Sequence, residues 1–285
     1  MFVRNKRTVA KLGKIAIVLL AVYVLVCSGL FLFQEKLIFP SPKLSEDASA
    51  AYQEIDNIED VELKMKDGNN LRGWFIHNSD NNKSNLLLYF GANAEEVSLI
   101  IPKMAKFQNW SVALINYRGY GKSDGIPNEQ LLFSDSLEIY DYFSSREDVN
   151  KSNIIVMGRS IGTGVATYLS EKRDAAATVL VSPFDSLSSV IKEKCPVLPV
   201  NLILKNKFDS LSRAPLIKSP LLIITGTEDK LIPVVHSKKL GDSWGGEVTY
   251  KSIIGEGHNS IDDVEEYWNI IDGFLNEKET SANIN

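Results

Sequence analysis

Five short runs in this chain are apolar at nearly every position: residues 86–90 (LLLYF), 112–115, 154–157, 178–181 and 221–224. A strand that is apolar on both faces has to be covered on both faces. A mainly parallel sheet with helices above and below does this. The stretches between the runs have helical character, roughly 96–107, 128–145, 162–172 and 234–240. A last strand near 248–253 leads to a final helix from about 262 to 276. Ahead of the first apolar run, 61–65 and 71–76 predict two antiparallel strands around the turn Asp67-Gly68-Asn69-Asn70. The expected fold class is therefore α/β, and in such sheets functional residues gather at the carboxyl ends of the strands.

One segment breaks this rhythm. Some forty residues separate the fourth and fifth runs, with Pro183, Pro196, Pro199 and Pro215 among apolar pieces. A connection of this length inside a compact domain is usually functional, so residues 184–212 are read as a small helical cap over the site.

Residues 15–33 (IAIVLLAVYVLVCSGLFLF) form a nineteen-residue run without a charge. At 1.5 Å per residue such a helix crosses a ~30 Å hydrocarbon core. Arg4, Lys6, Arg7, Lys11 and Lys14 precede it and no acid lies within the first 33 residues. The positive-inside bias then keeps residues 1–14 cytoplasmic and places the domain on the opposite, periplasmic, luminal or extracellular, side. A cleaved signal peptide is disfavoured because no small-x-small cleavage site follows the run. The expected organisation is basic N-terminus 1–14, transmembrane anchor 15–33, tether 34–57, globular domain 58–278 and tail 279–285.

Of 31 basic residues five precede the apolar run, leaving 26 against 36 acidic ones in the rest of the chain. A domain near −10 is a poor partner for nucleic acid. Of the two cysteines Cys27 lies in the apolar run and Cys195 is alone in the domain. No disulfide within the domain and no metal-binding cluster is read, and the chemistry below calls for no cofactor.

That chemistry starts at Gly158-Arg159-Ser160-Ile161-Gly162, which follows the run 154–157 directly and opens a helix. G-x-S-x-G between a strand and a helix is a nucleophile elbow: a tight turn strains the serine and excludes bulky neighbours. The helix behind it offers the Ile161 N–H to a developing oxyanion. Three histidines could serve as base. His258 stands in a glycine-rich loop after the last strand, whereas His77 ends an early strand and His236 lies within a helix. His258 is the preferred base. Asp229, in the loop after 221–224, is the preferred orienting acid, with Glu228 and Asp185 as rivals. The order Ser, Asp, His along the chain is that of α/β-hydrolases.

Together with Thr225-Gly226-Thr227-Glu228-Asp229, Gly257-His258 and the stretch 116–125 (NYRGYGKSDG), these residues carry a resemblance. From about residue 37 to 275 the chain resembles α/β-hydrolases of the membrane-anchored, serine-aminopeptidase-like branch, which includes acyl-protein-thioesterase relatives. The stretch 116–125 looks like the tyrosine-arginine-glycine loop of that branch, where Arg118 is expected to pack or pair rather than react. Relatives carry His-Gly-Asn-Ala after the third strand, where a backbone N–H completes the oxyanion hole. Here Gly91-Ala92-Asn93-Ala94 stands instead. By position Asn93 or Ala92 supplies the N–H, and Asn93 is preferred. Glu95 and Glu96 suit the positive end of the next helix and are expected to be solvated.

The expected activity is hydrolysis of an ester or thioester, lipid-like or acylated, through an acyl-enzyme. A serine peptidase is the alternative within the enzyme class. A membrane-tethered binding protein on a retired hydrolase fold is the alternative outside it.

Overall fold

The computed structural model describes residues 6–44, 52, 55–78 and 83–282. Among the described residues eight strands form one sheet: β1 (Ile58–Lys64), β2 (Asn70–Ile76), β3 (Ser84–Phe90), β4 (Trp110–Ile115), β5 (Val149–Arg159), β6 (Ala177–Val181), β7 (Leu221–Gly226) and β8 (Val248–Ile253). Their order is β1-β2-β4-β3-β5-β6-β7-β8. β2 runs antiparallel to β1 and β4, and the remaining neighbours are parallel. The helices are α1 (Lys6–Ile38), α2 (Ile101–Met104), α3 (Glu129–Ser144), α4 (Ile161–Lys172), α5 (Leu187–Lys194), α6 (Val200–Ile203), α7 (Val234–Asp242) and α8 (Glu265–Ala282).

The doubly apolar strands sort their side chains with period two. From β3, Leu86, Leu88 and Phe90 enter the core shared with α3 and α4, while Leu87 and Tyr89 enter the core shared with α2 and α8. The chain leaves β3 for β4 on one side and returns to β5 on the other. The loops after β3 and β5 therefore diverge at a switch point, where open α/β sheets form their binding crevice. The register sets Phe90 beside Gly158 and Arg159 beside Val181, so the ends of β3, β5 and β6 lie level.

Four expectations change. The helix expected over 96–107 is a 3₁₀ turn at Val97–Ile100 followed by the single turn of α2. Pro102 has no N–H to continue a hydrogen-bond ladder, and the Asn116 side chain takes the Val97 N–H instead. The final helix begins at Glu265, because residue 262 is engaged elsewhere: its carbonyl accepts from Lys103 and Trp268. It runs on to Ala282, through the start of the expected tail, of which residues 283–285 lie outside the described residues. The start of the expected tether is packed rather than free. α1 continues to Ile38, Phe39 is buried against Phe208, and the Gly121 N–H donates to the Pro42 carbonyl. The middle of the tether, 45–51 and 53–54, lies outside the described residues.

Candidate active site

Ser160 follows β5 with φ 53° and ψ −119°, a conformation that costs a non-glycine residue about 1–3 kcal/mol. Its neighbours explain how the turn closes. A Cβ on Gly158 would sit 2.4 Å from the Gly162 carbonyl oxygen, and one on Gly162 would sit 2.1 Å from the Phe90 oxygen. The Ser160 N–H donates to the Val181 carbonyl at 2.9 Å, pinning the turn to the end of β6.

The loops after β7 and β8 bring Asp229 and His258 to this serine. His258 Nε2 lies 2.9 Å from Ser160 Oγ, and its Nδ1 lies 2.8 Å from Asp229 Oδ2. The other oxygen of Asp229 accepts the N–H groups of Leu231 and Ile232 at 2.9 and 2.8 Å. Burial alone would push the Asp229 carboxyl up. The hydrogen bonds from His258 and the Ile232 N–H outweigh it, and the group lies below the usual carboxylate range. An ionised Asp229 only accepts, so Nδ1 carries the proton and Nε2 is left to receive the hydroxyl proton of Ser160.

The loop after β3 is held from several sides. Tyr117 Oη donates to the Gly91 carbonyl at 2.9 Å, and Tyr120 Oη to the Asn93 carbonyl at 2.5 Å. The Ala92 N–H donates to Glu95 Oε2 at 2.9 Å and is therefore occupied. Among the described residues the N–H groups of Asn93 and Ile161 have no such acceptor, which leaves both available to an oxyanion.

Glu95 and Glu96 are not solvated, contrary to expectation: Glu96 is buried, and the Glu95 side chain is 9% exposed. Glu95 accepts from Tyr89 Oη at 2.9 Å and faces the Arg159 guanidinium at 3.6 Å, while Glu96 accepts from Asn116 Nδ2 at 2.7 Å. Burial holds the Glu95 carboxyl above its usual range despite the Ala92 N–H and Arg159. Arg159 also donates to Asp262 Oδ1 at 2.8 Å and to the His258 carbonyl at 3.5 Å. One side chain next to the serine thus links the loop after β3 to the loop of His258. Sequence reasoning gave no role to Arg159, Tyr117 or Tyr120. The tyrosines lay in a stretch already singled out, but their acceptors are more than twenty residues away.

A cleft of about 330 Å³ opens beside His258, lined by Ala92, Asn93, Leu99, Arg159, Leu231 and Asn259 among others. Its lining includes no residue from 184–212, the segment read from the sequence as a cap. α5 instead meets the Asp229 loop from the side, where Lys194 Nζ donates to the Lys230 carbonyl. A larger polar depression of about 800 Å³ between Lys106 and Asn276 contains no serine–histidine pair. Of the rival residues, Glu228 is exposed, with its N–H donating to the Glu256 carbonyl at 2.8 Å, and the others are paired away from Ser160. His236 Nδ1 lies 2.8 Å from Asp185 Oδ1, so the alternative base and alternative acid are bonded to each other. His77 pairs with Glu59 at 3.2 Å. Arg118 binds Asp135 through Nε at 2.7 Å and Nη2 at 2.5 Å, a buried structural pair as expected.

A mainly parallel sheet with a strained serine between strand and helix, and with histidine and aspartate supplied by later loops, defines the α/β-hydrolase class. The comparisons agree. Residues 90–200 match the family model of the alpha/beta hydrolase fold. Over 251 residues the chain is 32% identical to an uncharacterized protein of Mycobacterium tuberculosis, covering 86% of this chain and 88% of that one. It is 28% identical over 275 residues to an uncharacterized membrane protein of Saccharomyces cerevisiae, covering 91% and 95%. The solved structure of an esterase from Pyrococcus furiosus is similar with a TM-score of 0.64 at 21% identity, covering 84% and 97%. The chain belongs to the alpha/beta hydrolase fold family.

Proposed function

We propose that this chain is a membrane-anchored serine hydrolase that cleaves carboxylic esters or thioesters of lipid-like or acylated substrates through an acyl-enzyme. The observation that carries the reading is the unbroken hydrogen-bonded series from Ser160 Oγ through His258 to Asp229. Ser160 Oγ attacks the substrate carbonyl carbon as His258 Nε2 takes the hydroxyl proton. The N–H groups of Ile161 and Asn93 receive the oxyanion, and each such donor is worth roughly 10²–10³-fold in rate. His258 then gives its proton to the departing alcohol or thiol. A water deprotonated by the same nitrogen attacks the acyl-enzyme, and Ser160 leaves with the proton restored. Asp229 stays ionised throughout and stabilises the imidazolium.

α1 supplies the anchor. It holds an apolar helix, Val9–Ile38, of sufficient length to cross a bilayer. The cations at its start keep the N-terminus cytoplasmic and put the hydrolase domain on the far side.

The test uses the full-length chain in detergent micelles, because Phe39 and the end of α1 are part of the domain's packing. Nitrophenyl acyl esters and acyl thioesters are compared with amino-acid nitroanilides. Turnover of esters or thioesters that disappears in Ser160→Ala, with anilides at background, is the expected result. Anilide turnover at a comparable rate would replace this reading with a peptidase.

A further inference from the structure

Residues 195–204 (CPVLPVNLIL) form a ten-residue stretch without a charge, with Asn201 as its one polar amide. Lys192 and Lys194 precede it, and Lys205 and Lys207 follow. The stretch joins α5 to α6 and the loop beyond. Val197 is 77% exposed and Leu202 83% exposed, among the most open large apolar side chains of the described residues. Single exposed apolar residues need no explanation, but two on one uncharged tip between basic flanks call for a partner.

The structure shows what lies beside that tip. Tyr23 Oη, in α1, donates to the Val197 carbonyl at 2.8 Å. Gln34, eleven residues on, donates to the Ile203 carbonyl at 2.9 Å and accepts the Lys205 N–H at 2.7 Å. Tyr23, Cys27, Leu30 and Gln34 follow the spacing of a single helix face, and Cys27 and Leu30 are partly shielded while Leu25 and Leu32 are open. The tip therefore lies along about 16 Å of α1. The uncharged part of α1 begins after Lys14 and ends near Gln34, which makes Tyr23 close to the middle of a ~30 Å core.

We propose that the tip 195–204 is a membrane-inserting element. Its apolar side chains enter the leaflet on the domain's side, next to α1, and the four flanking lysines lie at headgroup level. The partner is the lipid bilayer itself, and the inference rests on α1 spanning that bilayer as proposed above. Most of the tip's backbone N–H groups are bonded, as suits a setting in which an unsatisfied polar group is costly. Pro196 and Pro199 have no N–H. The N–H groups of Leu198, Val200, Leu202 and Leu204 are bonded within the tip, and α1 satisfies the carbonyls of Val197 and Ile203. Lys205 Nζ lies 4.4 Å over the Phe31 ring and 3.4 Å from Glu35, as a cation does when its stem follows an apolar surface to the polar boundary. Through Lys194 and the Lys230 carbonyl the same element touches the loop of Asp229.

The test places a polarity-sensitive fluorophore at single cysteines in full-length chain reconstituted into vesicles of neutral and anionic phospholipid. In a Cys27→Ser/Cys195→Ser background, Val197→Cys and Leu202→Cys report the tip. Leu25→Cys reports the span, and Ser152→Cys reports the amino-terminal end of the central strand β5; all four positions are exposed. The expected result is blue-shifted emission, quenched by bromines on the lipid chains and not by aqueous iodide, at 25, 197 and 202, with the reverse at 152. Lipid quenching at 25 with iodide quenching at 197 and 202 overturns the inserted tip while leaving the anchor standing. Iodide quenching at all four positions overturns both. No readout depends on turnover, so failure of the hydrolase reading is distinguishable.

Discussion

Glu95 and Asp229 are both buried carboxylates beside the same serine, yet their surroundings move them in opposite directions. For Asp229, whose folded pKa is depressed, the stability it contributes is present above the unfolded value of about 3.9 and lost as pH falls through the folded one. For Glu95, raised by burial, ionisation of the folded protein is disfavoured, so stability is lost as pH rises from about 4.3 through the folded value. Urea melts in detergent should therefore show opposite slopes. Relative to Asp229→Asn, wild type loses stability as pH drops below that range; relative to Glu95→Gln, it gains stability as pH falls towards it. Slopes of the same sign would contradict the assigned environments. Two neighbours of the site are expected to act by position. Arg159→Gln unlinks Glu95 from Asp262 and the His258 carbonyl, and should lower kcat/KM for ester turnover roughly 10- to 100-fold while the fold persists. Tyr120→Phe frees the Asn93 carbonyl and should lower kcat about 10-fold with KM little changed, less than the ~10²-fold cost of losing an oxyanion donor itself. An unchanged kcat in Tyr120→Phe would remove the tyrosine from the account.

At the scale of elements, the elbow depends on the backbone of α4 touching the end of β3. A methyl at Gly162 would meet the Phe90 oxygen at 2.1 Å, and backbone cannot give way as a flexible side chain can. Gly162→Ala should lower the denaturation midpoint by the equivalent of about 1–3 kcal/mol or more, as overpacking does. A midpoint equal to wild type would show that the contact relaxes freely. The central strands were readable in sequence because burial on both faces leaves continuous apolar runs. So were the serine, its glycines and the later histidine and aspartate loops, whose signals are local. The 3₁₀ turn after β3 was not readable, since its start is set by Asn116, nineteen residues further on. Nor was the shielding of Glu95 and Glu96: their partners come from β5, in Arg159, and from the residue after β4, Asn116. The apolar residues of the segment read as a cap were legible, but their neighbour α1, more than 160 residues earlier, was not.

For the whole molecule, α1 is one helix of 33 residues, about 50 Å long, and exceeds what a ~30 Å core requires. The excess at its carboxyl end is built into the domain through Gln34 and Phe39, which makes α1 and the α/β domain a single mechanical unit. Gln34→Ala should leave ester hydrolysis in micelles near wild type while raising the rate at which a protease cuts within 195–207. An unchanged cutting rate would mean that the tip is held without α1.

The central claim is that Ser160 is a nucleophile activated by His258. Its most direct test is labelling of the full-length protein with a fluorophosphonate, followed by intact mass and peptide mapping. The account predicts one adduct, on Ser160, lost in Ser160→Ala and reduced to background in His258→Ala. A folded wild-type protein that remains unlabelled, or an adduct on another serine, would contradict it.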